Sequence, residues 1–357
     1  MKIVMPYISR SGENIDSKII SGGLEKFAQN VYNLFPNEII PAKLTKEDRL
    51  NRRTKQVFLD YVNQHKPDII LLNDIDGYFH IPLINYGIPT VLIIHEGLTG
   101  DIRYLGLYKN LHEFLNHGGQ LYFVSENQYE YHNKHIKRIT GKELSHISGF
   151  INSSYVIGDE NVNAHLKYDA ITIGRTDELK NPFYIHKKLK DTGLTSCVIT
   201  NKTNFQHNTV KYYEDNLHWD DPQITLRGLS YVDTMSELSS ARCYISTCEV
   251  ESWGITALEA LSRGVPLILV TNNTGKHSSE IIAADASHYR IVHKSIKPGE
   301  LKAVIQELSA YTYEQRLEIS AMTLEKHNSH KFRTKFDNIF KTSLMSTSKK
   351  STLDSFF

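Results

Sequence analysis

Two glutamates with seven residues between them, Glu251 and Glu259, bracket a glycine turn in the stretch Glu251-Ser252-Trp253-Gly254-Ile255-Thr256-Ala257-Leu258-Glu259. Gly254 lets the backbone approach a ligand closely, and the amides after it, at a helix start, suit a phosphate or sugar oxygen. Glu251 precedes that helix. Glu259 sits inside it, on a face that can turn back toward the ligand, and ionised carboxylates accept strong hydrogen bonds from hydroxyls. Upstream, Arg175 and Lys180 follow a strand that ends at Gly174. A guanidinium and an ammonium a few residues apart can clamp a diphosphate and neutralise charge on a departing nucleotide. Set against these readings are an ordinary amphipathic helix and solvated loop charges. The glycine turn, the Gly264-Val265-Pro266 ending and the presence of both clusters weigh toward a ligand site.

Fainter signals lie in the first half. Gly22-Gly23 opens a helix, which by itself can explain the pair. His95 ends an apolar strand, a position that faces a cleft in a doubly wound sheet; a structural histidine is the alternative. Asp74 and Asp76 form an Asp-x-Asp at another strand end. At a strand end in the first half they lack the context in which an Asp-x-Asp binds metal, so they are not read as a metal site and could instead face the acceptor.

These residues need a scaffold that presents strand ends and helix starts together. Near-continuous apolar runs at 2–7, 68–72, 89–94 and 120–124, separated by helical spacing, read as buried parallel strands. A second series follows at 168–174, 195–200, 224–226, 243–246 and 265–270. Two such series predict an α/β protein of two Rossmann-like doubly wound domains facing across a cleft. The boundaries expected are 1–160 for the first domain and 161–328 for the second, then a helix over 329–345 and a flexible tail over 346–357. A chain of 357 residues accommodates two cores.

Composition narrows the class. Hydrophobic residues make up 40% and charged residues 23%, which excludes wholesale disorder, while a net charge of +1 does not decide for or against a polyanionic partner. Cys197, Cys243 and Cys248 are too few for a disulfide framework or metal knuckle, and Cys243 reads as a small buried hydrophobe. Neither an export signal nor a membrane-spanning run is visible, so a cytoplasmic location is expected.

The stretch from Ser246-Thr247 through Glu251, Trp253-Gly254-Ile255, Glu259-Ala260 and Gly264-Val265-Pro266 resembles the E-x7-E segment of retaining GT-B glycosyltransferases. Gly174-Arg175 with Lys180 is similar to that family's Gly-Arg…Lys-Gly loop, with Asn181 in place of the usual glycine. Gly22-Gly23-Leu24-Glu25 resembles its Gly-Gly-x-Glu loop, and His95-Glu96 its strand-end His-Asp. The resemblance implies a nucleotide-sugar donor, a UDP-sugar, and no metal cofactor. It assigns Glu251, His95, Arg175 and Lys180 to catalysis, with Gly22, Gly23, Gly174, Trp253, Gly254, Ile255 and Glu259 in donor binding. Arg175 and Lys180 would stabilise the leaving diphosphate, Glu251 would orient the sugar, His95 would face it near the reacting carbon, and Glu259 would hold the ribose. Residues 229–238 would lie near the base, and transfer would proceed with retention.

The acceptor is addressed by two further features. Residues 43–55 and 132–142 are locally basic, with Arg52, Arg53, Lys137 and Arg138 as candidate phosphate contacts. The end of the chain, Leu353-Asp354-Ser355-Phe356-Phe357 behind two lysines, resembles peptides by which replication enzymes dock on DNA sliding clamps, with Leu353, Phe356 and Phe357 as one apolar plug. Together these resemble the DNA-modifying glycosyltransferases of T-even-like bacteriophages, which implies double-stranded DNA carrying 5-hydroxymethylated cytosine as acceptor. The alternatives are a glycosyltransferase of surface glycans or lipids, a nucleotide-sugar 2-epimerase, and a non-catalytic DNA- or clamp-associated binding protein.

Overall fold

The computed structural model describes residues 1–9, 14–15, 23–45, 47–48, 51, 53–73, 87–95, 111–144, 147–152, 154–155, 161–174, 180, 187–200, 224–227, 229–248, 253–272 and 277–353. The chain forms two compact units, Met1–Ser154 with Ser329–Phe357, and Tyr155–Asn328. Each is built on one six-stranded sheet.

In the first unit the order along the chain is β1 (Ile3–Ser9), α1 (Gly23–Leu34), β2 (Ile39–Thr45), α2 (Thr54–His65), β3 (Ile69–Asn73), β4 (Thr90–Ile94), β5 (Gln120–Phe123), α3 (Glu126–Thr140) and β6 (Gly149–Phe150). The sheet order is β2-β1-β3-β4-β5-β6, every pairing parallel. Its strands bury side chains on both faces, so Ile69-Ile70-Leu71-Leu72 and Val91-Leu92-Ile93-Ile94 are apolar without alternation. Phe58, Leu111, Phe114 and Ile136 from helical segments cover one face. α3 starts where Ser125 accepts from the Gln128 amide at 3.2 Å while the Gln128 side chain accepts from Val124 at 3.0 Å, and it stops at Gly141 with φ of 74°.

β2 was not among the runs expected from sequence, because its lysine and threonine hide a strand whose Ala42 and Leu44 are fully buried. It divides the basic run 43–55: Lys43 lies in the strand and reaches Asn14 at 3.2 Å, whereas Arg53 stands exposed before α2. β6 and, in the second unit, a strand at Tyr289–His293 are likewise additional to the expected strands.

The second unit runs β7 (Ala170–Ile173), β8 (Ser196–Ile199), β9 (Ile224–Arg227), α4 (Tyr231–Ser239), β10 (Tyr244–Ser246), α5 (Ile255–Leu261), β11 (Leu267–Thr271), β12 (Tyr289–His293), α6 (Pro298–Ser309) and α7 (Tyr313–Lys326). Its sheet order is β12-β11-β10-β7-β8-β9, again all parallel. Read from β9, this is the Rossmann order 3-2-1-4-5-6, whose switch point lies between β7 and β10. Ligands of such sheets bind outside the carboxyl ends of the strands at that point. The three cysteines are free and buried, and burial pushes the Cys243 thiol up, in keeping with its reading as a core residue.

After the second unit the chain returns to the first as α8 (Ser329–Leu353). Phe332, Phe336 and Phe340, four residues apart, share one face and are fully buried. Phe332 and Phe336 pack on Phe27, Phe340 packs on Phe35, and Arg333 lies 5.0 Å over the Phe35 ring. Burial of each phenylalanine contributes about 2 kcal/mol. The helix was expected to end at residue 345; it continues to Leu353. The Ser-Thr-Lys stretch contains no glycine or proline to stop it. Among the described residues no helix is long and apolar enough to cross a membrane.

Candidate functional site

The switch point of the second unit gathers several of the residues singled out from sequence. β7 ends at Ile173, and Gly174 follows with its amide donating to the Ile199 carbonyl at 3.1 Å. A Cβ on Gly174 would lie 3.2 Å from the Lys180 Cβ, so the missing side chain is what lets Lys180 sit against the strand end. Across the switch point, the Thr247 hydroxyl at the end of β10 donates to the Lys180 carbonyl. Thr172 reinforces the same junction by donating to the Ile245 carbonyl at 2.9 Å. Lys180 is therefore fixed from both neighbouring strands. Arg175, its expected partner, lies outside the described residues, as does Asn181.

The glutamate segment continues from β10. Glu251 lies outside the described residues, but both of its flanks are defined. On the near side His277 is buried, its Nε2 donating to the Cys248 carbonyl at 3.0 Å while Nδ1 accepts from the Ser279 amide at 3.1 Å. That pair of bonds fixes one tautomer and anchors the chain just before the segment. On the far side Trp253 is buried, its ring 6.1 Å edge-on to His327. Among the described residues the Trp253 indole N–H meets no acceptor. Gly254 adopts the left-handed conformation, φ 69° and ψ 56°, and caps α5; a side chain there would be strained. Ile255 is the first residue of that helix.

Glu259 does turn inward. It is 4% exposed, and the Tyr231 hydroxyl at the start of α4 donates to its Oε1 at 2.8 Å. Its carbonyl accepts from Ser262 at 3.0 Å and from Arg263 at 3.1 Å. The far ends of α4 and α5 are tied by Arg316, which is 2% exposed. Its guanidinium donates to the carbonyls of Gly264, Asn163, Ser239 and Ala241 at 2.9, 2.9, 3.2 and 3.4 Å. Burial lowers its pKa to about 10, which leaves it charged, and the carbonyl ends of two helices compensate that charge. Gly264, with φ of 70°, is required there, since a Cβ would lie 2.3 Å from the Arg316 carbonyl oxygen.

In the first unit, Gly23 opens α1 and Gly22 lies outside the described residues. His95 follows β4 with its Nε2 buried and its ring edge-on to Phe27 at 4.3 Å. Burial depresses its pKa to about 3, so the imidazole is neutral at physiological pH. Asp74 and Asp76 follow β3 but lie outside the described residues, as do Arg52, Phe356 and Phe357. Arg53 and Arg138 are exposed, while the Lys137 ammonium is 2.6 Å from Glu143. Leu353 is the last residue of α8. Among the described residues no group of three or more His, Cys, Asp or Glu is placed to hold a metal ion.

His277 and Arg316 were not identified from sequence, while Thr247 was read only as part of the small-residue lead and Tyr231 only within residues 229–238. Ser230 with Asp233 marks the start of α4, which brings Tyr231 into view as a helix-opening residue. For Arg316 there was no signal, since arginine on a helix ordinarily reads as solvated.

Residues 159–320, most of the second unit, match the family of glycosyl transferases group 1. No curated protein matches the chain in sequence. Among solved structures, sucrose-phosphate synthase of Thermosynechococcus elongatus is similar over 96% of this chain and 99% of its own, at 12% identity and a TM-score of 0.72. HepE of Anabaena in complex with UDP-glucose is similar over 96% of this chain and 100% of its own, at 11% identity and a TM-score of 0.67. The GtfA/B complex is similar over 82% of this chain, which spans only 61% of its partner's length, at 11% identity and a TM-score of 0.56. Two parallel α/β units of GT-B architecture, the second a glycosyl transferases group 1 domain, make this chain a glycosyltransferase.

Proposed function

We propose that the enzyme moves a sugar from a UDP-sugar to an acceptor hydroxyl with retention, and that the second unit holds the donor. The observation carrying this reading is the junction at the β7/β10 switch point, where Gly174, Lys180 and Thr247 meet beside the segment leading to Glu251 and Gly254. Lys180 and Arg175 supply positive charge to the departing diphosphate, the dominant form of help for such a leaving group. Amide dipoles at Gly254 and Ile255 meet donor oxygens. Glu251 orients the sugar and Glu259 the ribose. HepE, solved with UDP and with UDP-glucose, is a fold relative that supports a uridine nucleotide here. Because His95 is neutral, its role is to hydrogen-bond the sugar rather than to offer a charge. The cationic pair takes the place of a metal, so transfer proceeds without one.

The acceptor we infer is 5-hydroxymethylated cytosine in double-stranded DNA, with Asp74 and Asp76 on the acceptor side. Exposed Arg53 and Arg138 support it, together with the Leu353-to-Phe357 clamp-like ending. A glycan or lipid acceptor is the second reading, favoured by the ion pair that already occupies Lys137 and by β2 breaking up the first basic run. Nucleotide release from a panel of UDP-sugars, with and without hydroxymethylated DNA, tests both. Release stimulated by that DNA, with sugar covalently on it, supports the DNA reading. Donor turnover that only glycan or lipid extracts stimulate replaces it with the second.

A further inference from the structure

The bond between Tyr231 and Glu259 joins two helices, and it contacts one of the residues on which donor binding rests. We infer that Tyr231 is a positioning residue that fixes the Glu259 carboxylate and thereby sets the preference for a ribonucleotide over its 2′-deoxy counterpart. This rests on the reading of Glu259 as the carboxylate that holds the donor ribose.

Three observations carry it. First, the backbone on both sides of the bond is immobilised. Ser230 accepts from the Asp233 amide at 3.2 Å and Thr234 donates to the Ser230 carbonyl at 2.7 Å, which defines the start of α4. The Glu259 carbonyl is held by Ser262 and Arg263, and Arg316 ties the far ends of both helices. Second, what freedom is left belongs to the glutamate side chain, with its several rotatable bonds; a phenol donating to a carboxylate is a charge-assisted bond that selects one arrangement. Third, Glu259 is 4% exposed, so a wrongly turned carboxylate is not compensated by bulk water. A carboxylate offers about four lone-pair sites, enough for Tyr231 and a ribose diol together. A 2′-deoxyribose keeps only one of those hydroxyls and gains less from the orientation.

The test is titration calorimetry of the full-length protein with UDP and with 2′-deoxy-UDP, using wild type, Glu259→Gln, Tyr231→Phe and the double variant. Tyr231→Phe is expected to weaken UDP binding about ten-fold, the worth of one hydrogen bond to a charged group, and 2′-deoxy-UDP binding by clearly less, so that the preference shrinks. Retained binding of the deoxynucleotide also shows that the variant is folded. Glu259→Gln should remove most of the preference, and the double variant should lose no more than Glu259→Gln alone. In turnover, Tyr231→Phe should raise the KM for the donor and leave kcat near wild type. If Tyr231→Phe keeps the wild-type preference while Glu259→Gln loses it, the inference fails and the ribose reading stands. Equal weakening of both nucleotides by Tyr231→Phe assigns Tyr231 a structural role and overturns the inference. A wild-type preference in Glu259→Gln overturns the ribose reading and the inference with it.

Discussion

Thr247 donates its hydroxyl to the carbonyl of Lys180, so the residue after β10 is coupled to the chain beyond β7 where the strand order of the second sheet reverses. The bond holds the lysine's backbone, and the lysine carries the charge. Thr247→Val keeps the side-chain shape and removes the donor. It should lower kcat/KM roughly 3- to 10-fold, the value of one neutral hydrogen bond, whereas Lys180→Ala should cost on the order of 100-fold. Steady-state kinetics with the preferred UDP-sugar measures both. Equal losses in the two variants would show that Thr247 does more than position Lys180.

Glu251→Ala and Arg175→Ala should each lower turnover by on the order of 10²–10³ without unfolding the protein, as expected for loss of one charge-stabilising contact. Near-wild-type turnover with an unchanged melting curve in either variant would remove that residue from the site. Added chelator should leave wild-type turnover intact; loss restored only by Mn²⁺ or Mg²⁺ would bring Asp74 and Asp76 back as ligands.

The depressed pKa of His95 predicts an acid sensitivity of defined sign. Unfolded, the imidazole takes up its proton near pH 6.5; folded, it does so only near pH 3. Stability from this group is therefore complete above pH 6.5 and is lost as pH falls toward 3, by at most ~1.4 kcal/mol per pH unit. His95→Asn should flatten that part of the profile. Urea midpoints at pH 7.5 and pH 5 for both proteins decide it: parallel shifts would mean that His95 does not titrate in this way.

Arg316 satisfies four carbonyls from inside the second unit. Arg316→Met fits the volume but leaves those carbonyls without their cation, and should cost about 3–5 kcal/mol of unfolding free energy. Arg316→Lys cannot span the fork and should recover little of it. Gly264→Ala should be comparably damaging, because the added methyl meets the Arg316 carbonyl. Chemical denaturation gives all three values; a Gly264→Ala protein as stable as wild type would contradict the packing described.

If DNA is the acceptor, Arg138→Glu should weaken its binding more than Lys137→Glu, since Lys137 is already paired with Glu143. Affinity should fall steeply with salt. Deleting residues 351–357 should leave turnover on short DNA unchanged and abolish binding to the sliding clamp of the same replication system. Salt-independent DNA binding argues for the glycan or lipid acceptor, and loss of turnover on truncation makes the ending a structural part of α8.

Much of this scaffold was legible because buried parallel strands are written as uninterrupted apolar runs, as in Ile69-Ile70-Leu71-Leu72. β2 escaped because Pro41, Lys43 and Thr45 interrupt its apolar residues, and β12 because Tyr289-Arg290-Ile291 is only half buried. At the site, Gly254 announced its backbone conformation, and the spacing of Glu259 announced a helix face. The bonds made by Tyr231, Thr247 and His277 could not be read in the same way. Each acts on a partner at least 28 residues away in the chain, and a common residue type with a long-range partner leaves no local pattern. The extent of α8 was underestimated since Ser, Thr and Lys suggest solvation, whereas only glycine or proline would have forced a stop.

The return of α8 to the first unit has a consequence for biosynthesis. Phe27 and Phe35 leave the ribosome early, but the phenylalanines that cover them are translated only after all of Tyr155–Asn328. The intervening unit is continuous in the chain and can fold while its predecessor waits unfinished, which inverts the usual N-terminal-first order. At typical synthesis speeds of about 5–20 residues per second, Phe27 and Phe35 stay uncovered for on the order of 15–60 s. That interval makes the nascent chain a client for chaperones that bind exposed aromatics, and it makes residues 1–154 expressed alone prone to aggregate.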